Sequence, residues 1–154
     1  MDNIQTNKEF KYNTFNVIKQ FVPEFANSKR VFYGLDWVRG REEIAPYQVA
    51  DCLCLFLTDL MIEFFQGESA CLIQIKNIFL AVEEIANSEV YKYDSEQFCF
   101  EFFDWIEQEE TDNQEFAFFF RDQLLPSTRL KWEKWNKNNW ANRVWKKYFD
   151  LEVN

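Results

Sequence analysis

Two consecutive stretches of this sequence place apolar residues every three or four positions, with only a short connection between them. The first begins at Pro46 and the second ends near Ile85. This spacing collects apolar side chains on one face of an α-helix, and Pro46 suits a first turn because its missing N–H needs no partner there. Gly67 lies between the stretches, where it can end the first helix in a left-handed conformation. The pattern predicts two antiparallel helices. Their apolar positions are Val49, Leu53, Phe56, Leu57, Leu60 and Phe64, then Leu72, Ile75, Ile78, Phe79, Val82 and Ile85.

Further helices are predicted on both sides of this pair. The residues from Thr6 to Glu9 have the form of a capping box, so a helix is expected to start there and to end before Pro23. Asp94 or Ser95 can cap a later helix whose apolar stripe contains Phe98, Phe102, Trp105 and Ile106. The helices predicted outside the central pair therefore cover about 7–22, a segment from 94 or 95, 115–125, and a segment from about 127.

Two segments lack a clear helical pattern. Residues 23–42 contain two of the three glycines and indicate a long connection, with at most a short turn of helix or strand near 31–33. Residues 90–93 alternate as in a strand but are too few to build a sheet. We therefore expect residues 1–154 to form one all-α domain, a bundle of five or six helices with antiparallel helical hairpins.

The absence of histidine and the scarcity of glycine exclude several chemistries. The chain has no histidine, which excludes Ser-His-Asp and Cys-His nucleophile arrangements, Glu-x-x-His di-iron sites and most zinc hydrolase ligand sets. With only three glycines, a phosphate-binding loop is not expected. No cofactor or bound metal is therefore predicted.

The four cysteines are interpreted as reduced thiols that fill the core of a cytoplasmic protein, because the first twenty residues contain no apolar secretory segment. Acids interrupt the longest apolar stretch, 44–65, so no transmembrane helix is predicted. The cysteines are Cys52, Cys54, Cys71 and Cys99.

Carboxylates are the one plentiful catalytic residue type. Asp59 and Glu63 lie one helical turn apart, and Glu101, Asp104 and Glu107 follow one another at a spacing of three. Either set could bind Mg²⁺ or act as an acid and base pair. Such spacings also arise by chance among 26 acids, and a solvated helix face is the favoured interpretation.

Charge is unevenly distributed along the chain. Residues 1–128 contain 10 basic and 23 acidic residues, a net charge of −13, whereas residues 129–154 contain seven and three, a net charge of +4. The basic segment alternates with aromatic residues, as in binders of single-stranded nucleic acid or anionic membranes. The favoured alternative is a terminal helix that packs its tryptophans on the bundle and its cations on the acidic remainder. Trp132, Trp135 and Trp140 are expected to stay partly exposed.

An acidic run near the middle of the chain has no Lys or Arg within it. It contains Glu107, Glu109, Glu110, Asp112 and Glu115, and it is expected to be an exposed helix end and the loop after it. These carboxylates repel one another, so the run is either a solvated helix end or a patch that faces a basic partner, such as the nucleic-acid cleft of a nuclease.

Residues 47–107 resemble the helical hairpins of small, acidic, uncharacterised bacterial proteins. Some of these are similar to immunity proteins encoded beside polymorphic toxins. This resemblance implies a protein that binds and masks a toxic partner. The leading hypothesis is thus a non-enzymatic protein-interaction module, and the alternatives are a nucleic-acid or membrane-surface binder and a Mg²⁺-dependent carboxylate enzyme. The resemblance rests on the pattern Leu72-x-x-Ile75-x-x-Ile78-Phe79-x-x-Val82-Glu83-Glu84-Ile85 and on the helix from Phe98 to Ile106.

Overall fold

The computed structural model describes residues 13–34, 44–112 and 114–137, and within these ranges the chain is helical with no strand. The all-α prediction is confirmed for this part of the chain. The number of helices is larger than the five or six predicted, because two short helices occupy the start of the segment that was interpreted as a connection. The helices are α1 Thr14–Phe21, α2 Pro23–Ala26, α3 Lys29–Gly34, α4 Pro46–Phe65, α5 Cys71–Ala86, α6 Lys92–Asp112, α7 Gln114–Gln123 and α8, residues 126–137.

The central pair, α4 and α5, forms as predicted. Gly67 has a φ of 107°, which an L side chain rarely adopts. The N–H of Gly67 donates to the carbonyl of Phe64, and the N–H of Glu68 donates to the carbonyl of Glu63, both at 3.0 Å. These two bonds form a Schellman motif, which satisfies the last carbonyls of α4 and turns the chain toward α5.

The core forms where five helices meet. Helix α4 packs along α6 as well as α5, α1 packs against α5, and α7 packs against α6. Phenylalanine rings fill much of the interior, with Phe98 stacked on Phe102 at 6.2 Å between centroids and Phe79 meeting Phe102 edge-on at 5.9 Å. Helix α4 contacts helices on several sides, and its remaining side is exposed to solvent.

One predicted helix is interrupted, and another starts earlier than expected. The prediction placed a single helix at about 7–22, but Asn13 is extended and caps the helix that begins at Thr14, where its side chain accepts the N–H of Phe15 at 2.8 Å. The predicted capping box lies outside the described residues. Helix α6 begins at Lys92, so 90–93 is not a strand and neither Asp94 nor Ser95 is the cap. Ser95 is instead buried and donates to the carbonyl of Ile85 at 2.6 Å.

A carboxylate from α5 caps the start of α8. Glu83 accepts the N–H of Ser127 at 3.0 Å and both the N–H and the hydroxyl of Thr128 at 2.7 Å. Leu125 precedes the helix and has no side-chain acceptor, so these amides depend on Glu83. None of the described helices is both long enough and apolar enough to cross a bilayer.

Candidate interaction surface

Glu107, the first residue of the predicted acidic patch, is not available to a partner in the way that we expected. Its side chain lies mostly inside the protein, with 8% of the residue exposed. Nη2 of Arg121 donates to Oε1 at 3.0 Å and to Oε2 at 3.2 Å. Helix α7 runs back along α6. It therefore places Arg121 beside Glu107, although the two residues are 14 positions apart in the sequence. Glu107 is therefore a structural ion-pair partner, and its assignment to an exposed patch was wrong.

The rest of the acidic run is helical rather than a loop. Helix α6 continues to Asp112, and α7 begins at Gln114. Glu115 is exposed in the first turn of α7, where its charge favours the helix. Glu109, Glu110 and Asp112 belong to the last turns of α6, and their side chains lie outside the described part.

The position of these acids on α6 is unfavourable for the helix. A helix C-terminus carries a partial negative charge, so cations stabilise it and carboxylates destabilise it. The last turn of α6 contains no basic residue. Three carboxylates concentrated there gain nothing from the helix that carries them, in contrast to Glu115.

The tryptophans of α8 face the bundle, as the favoured interpretation of the C-terminal segment predicts. Trp132 is partly buried beneath the guanidinium of Arg121, which lies 5.3 Å from the ring centroid. Trp135 is partly buried against Phe103, with 5.8 Å between the centroids. Both remain partly exposed as expected, and Trp140 lies outside the described residues.

The cations of α8 meet oxygen atoms of the bundle, but not the carboxylates that we expected. Arg129 donates to the backbone carbonyl of Arg121. Nζ of Lys131 lies 3.5 Å from the hydroxyl of Ser95. Lys134 is exposed. Arg129 and Lys131 therefore use neutral acceptors, while α8 as a whole is held by the Glu83 carboxylate at its first turn and by its tryptophan faces.

The two carboxylate sets that could have formed a magnesium site are not assembled. Asp59 receives Nε and Nη2 of Arg30 at 2.8 and 2.9 Å, whereas Glu63 accepts the thiol of Cys71 at 3.3 Å. In the second set, the carboxylate of Glu107 is paired with the guanidinium of Arg121. The described part of the chain contains no group of three His, Cys, Asp or Glu side chains that could hold a metal ion.

Glu101 has a different partner, the carboxyl group of Asp51 on α4. A hydrogen bond to Asp51, together with burial and the charges of Asp51 and Asp104, raises the pKa of Glu101 to about 7. Glu101 therefore faces Asp51 where α4 and α6 pack together. Sequence spacing could not reveal this pair, since the residues belong to different helices.

The prediction that the cysteines lie in the core is confirmed, because all four are buried free thiols. Burial raises the pKa of Cys52 to about 11 and that of Cys99 to about 12. Burial and a hydrogen bond to Glu63 also raise the pKa of Cys71. These environments disfavour the thiolate, which is the reactive form of cysteine.

One surface that the sequence analysis did not identify is the outer stripe of α4. Leu55, Ile62 and Phe65 are 45%, 43% and 40% exposed. At 3.6 residues per turn they lie on one side of the helix, within about 80° of arc. The sequence contained an indication of this stripe, because apolar residues in 46–65 occur on nearly every side of the predicted helix.

Neither the family models nor the curated proteins nor the solved structures include a match to this chain.

Proposed function

We propose that this protein is a non-enzymatic interaction module of the immunity or inhibitor type, which binds and masks a basic protein partner such as a toxin. The observation that carries the proposal is the set of acids in the last turns of α6, Glu109, Glu110 and Asp112. Acids so close in sequence repel one another, and at the C-terminal end of a helix they also oppose its dipole, so the helix itself gives no reason for them. A basic partner would offset both effects.

The charge of the whole chain supports the same partner class. The formal net charge is −9, and the exposed carboxylate of Glu115 extends the run onto α7. A negative surface accelerates encounter with a positive one and disfavours acidic competitors. The same field repels nucleic-acid phosphates, which need Lys and Arg contacts.

The alternative function, a nucleic-acid or membrane-surface binder, would use the C-terminal segment. The packing of Trp132 on Arg121 and of Trp135 on Phe103 leaves only part of each indole face for stacking. Titration with labelled single-stranded DNA and with anionic vesicles at low salt tests this alternative directly. Micromolar binding that weakens steeply with salt would favour it over the interaction module.

The proposed function is tested with the product of the neighbouring gene, purified and titrated against this protein by stopped-flow fluorescence. The test variant neutralises three acids, Glu109→Gln, Glu110→Gln and Asp112→Asn. Its association rate should be about tenfold lower at low salt and should approach that of the original chain near 0.5 M salt. Its melting temperature should be unchanged or slightly higher, since the helix dipole is relieved.

A matched control changes the net charge by the same amount at exposed acids elsewhere. Glu24→Gln, Glu84→Gln and Glu89→Gln provide it, because all three side chains are exposed. This control should slow association much less than the α6 variant. Equal rates for both variants at every salt concentration would show that the acidic run only interacts with solvent.

A further inference from the structure

The exposed stripe of α4 is a continuous surface and not three isolated side chains. It runs from Asp51 through Leu55 and Ile62 to Phe65, a length of ~21 Å at 1.5 Å per residue. Thr58 lies between the apolar positions, and its hydroxyl donates to the carbonyl of Cys54 at 2.8 Å. The stripe therefore presents little unsatisfied polarity along its length.

Neighbouring helices border the stripe on both sides. Arg30 of α3 holds Asp59 on one side, with bonds of 2.8 and 2.9 Å. On the other side Glu101 of α6 meets Asp51. At the end of α4, Phe65 stacks on Phe116 of α7 with 5.3 Å between centroids and 11° between planes.

This last contact enlarges the apolar surface at one end. Phe119 meets Phe65 edge-on at 5.6 Å and also contacts Phe64 at 5.5 Å. Phe64, Phe116 and Phe119 are only partly buried against the core. Aromatic anchors beside aliphatic ones, surrounded by polar groups, are typical of the centre of a protein interface. Contiguous exposed apolar surface of this kind indicates a binding site.

Charge indicates which partner the stripe fits. Helix α4 contains Asp51, Asp59 and Glu63 and no Lys or Arg. Asp104 adds an exposed carboxylate on α6, and Arg30 is already paired with Asp59. A second copy of this chain would bring the same acids against each other, which is unfavourable. A basic partner has the complementary charge.

We propose that the outer stripe of α4, together with Phe116 and Phe119, is the docking surface for a basic protein segment with an apolar face. An amphipathic helix of about four turns matches the length of the stripe. Its apolar side chains contact Leu55, Ile62 and Phe65, and its Arg or Lys residues face the carboxylates at the border. This inference rests on the proposed function and names the surface through which the basic partner is bound.

The probe is a fluorescein-labelled synthetic peptide of 18 residues with leucines on one helical face and arginines and lysines on the other. Titration with this protein at low salt, followed by anisotropy, should give micromolar affinity. Ile62→Ser should weaken binding about tenfold, because an anchor at the centre of the surface is lost. Leu55→Gln is a second variant with the same expected effect.

The matched control is Ile73→Ser on α5, since Ile73 is 68% exposed and lies away from the stripe. It should leave peptide binding unchanged. A peptide of identical composition whose scrambled order has no apolar face should bind at least tenfold more weakly. Equal effects of Ile62→Ser and Ile73→Ser, or equal binding of both peptides, would overturn the proposal.

Two further outcomes distinguish a failure of the proposed docking surface from a failure of the proposed function. If the neighbouring gene product binds and Ile62→Ser leaves its affinity unchanged, the docking surface is wrong although the interaction module stands. If only the peptide binds, with sensitivity to Ile62→Ser, the surface stands although the toxin-masking function fails. A dimer in sedimentation velocity that Ile62→Ser abolishes would overturn the basic partner as occupant.

Discussion

Replacement of Glu83 by alanine should loosen the start of α8 and lower the free energy of unfolding by about 3 kcal/mol. The carboxylate accepts the N–H of Ser127 at 3.0 Å and the N–H and hydroxyl of Thr128 at 2.7 Å. Helix α8 has no capping side chain of its own, so this one acidic residue of α5 supports its first turn.

The expected magnitude follows from three separate losses. Removal of the acceptor for the amides at a helix start costs about 1.5 kcal/mol. Loss of the negative charge beside the helix N-terminus costs about 0.5 kcal/mol. The hydroxyl of Thr128 is buried, and an unpaired buried hydroxyl costs about 1 kcal/mol. Glu83→Gln keeps one acceptor oxygen and should therefore have a smaller effect, of about 1 kcal/mol.

The assay is urea unfolding followed by circular dichroism at 222 nm. For a slope of about 2 kcal/mol/M, the midpoint of Glu83→Ala should fall by about 1.5 M. Glu84→Ala is the matched control, because Glu84 is the exposed neighbour on the same helix, and its effect should stay within about 0.5 kcal/mol. A double-mutant cycle with Thr128→Val should give a coupling energy of about 1 kcal/mol. Indistinguishable midpoints for Glu83→Ala and Glu84→Ala would refute the capping role of Glu83.

Three further predictions concern titration and backbone geometry. The pKa of Glu101, raised to about 7 from 4.5, stabilises the fold below about pH 4.5, and this contribution is lost as pH rises through 7. Asp51→Asn should flatten the dependence of the melting temperature on pH, and an unchanged dependence would argue against Asp51 as the cause of the raised pKa. The pKa values of Cys52 and Cys99 are raised to about 11 and 12. At pH 8 the native thiols should therefore react with Ellman's reagent at least about 100-fold more slowly than after denaturation. One rapidly labelled native thiol would contradict the burial. Gly67→Ala should lower the free energy of unfolding by about 1 kcal/mol in the same urea assay, because φ is 107°, and no change would mean that the turn adopts another conformation.

Local pattern was sufficient to predict the central helices of this protein. The bounds of α4 and α5 follow from apolar spacing, from Pro46 and from Gly67, because a helix is built from contacts three or four residues apart. The burial of the four cysteines was predictable for the same reason, since small apolar side chains in such helices usually face the core.

The local sequence pattern did not predict helix starts correctly where a capping residue had other hydrogen-bond partners available. The sequence predicted a single helix over about 7–22, but Asn13 is extended and caps a helix that begins at Thr14. Ser95 suggested a cap for α6, but its hydroxyl is buried against α5. A capping residue competes with tertiary hydrogen bonds, and sequence alone does not decide that competition.

Only the tertiary structure decided which acids are free to meet a partner. Glu107 appeared equivalent to the acids that follow it, until α7 brought Arg121 across 14 positions. The capping role of Glu83 was not evident from the sequence, because Thr128, in the first turn of α8, lies 45 positions away. Helical spacing determines which residues share a face, whereas the neighbour that covers this face depends on how distant helices pack. The exposed stripe of α4 follows from the same cause, because α3, α5 and α6 pack against other sides of the helix and leave this side exposed.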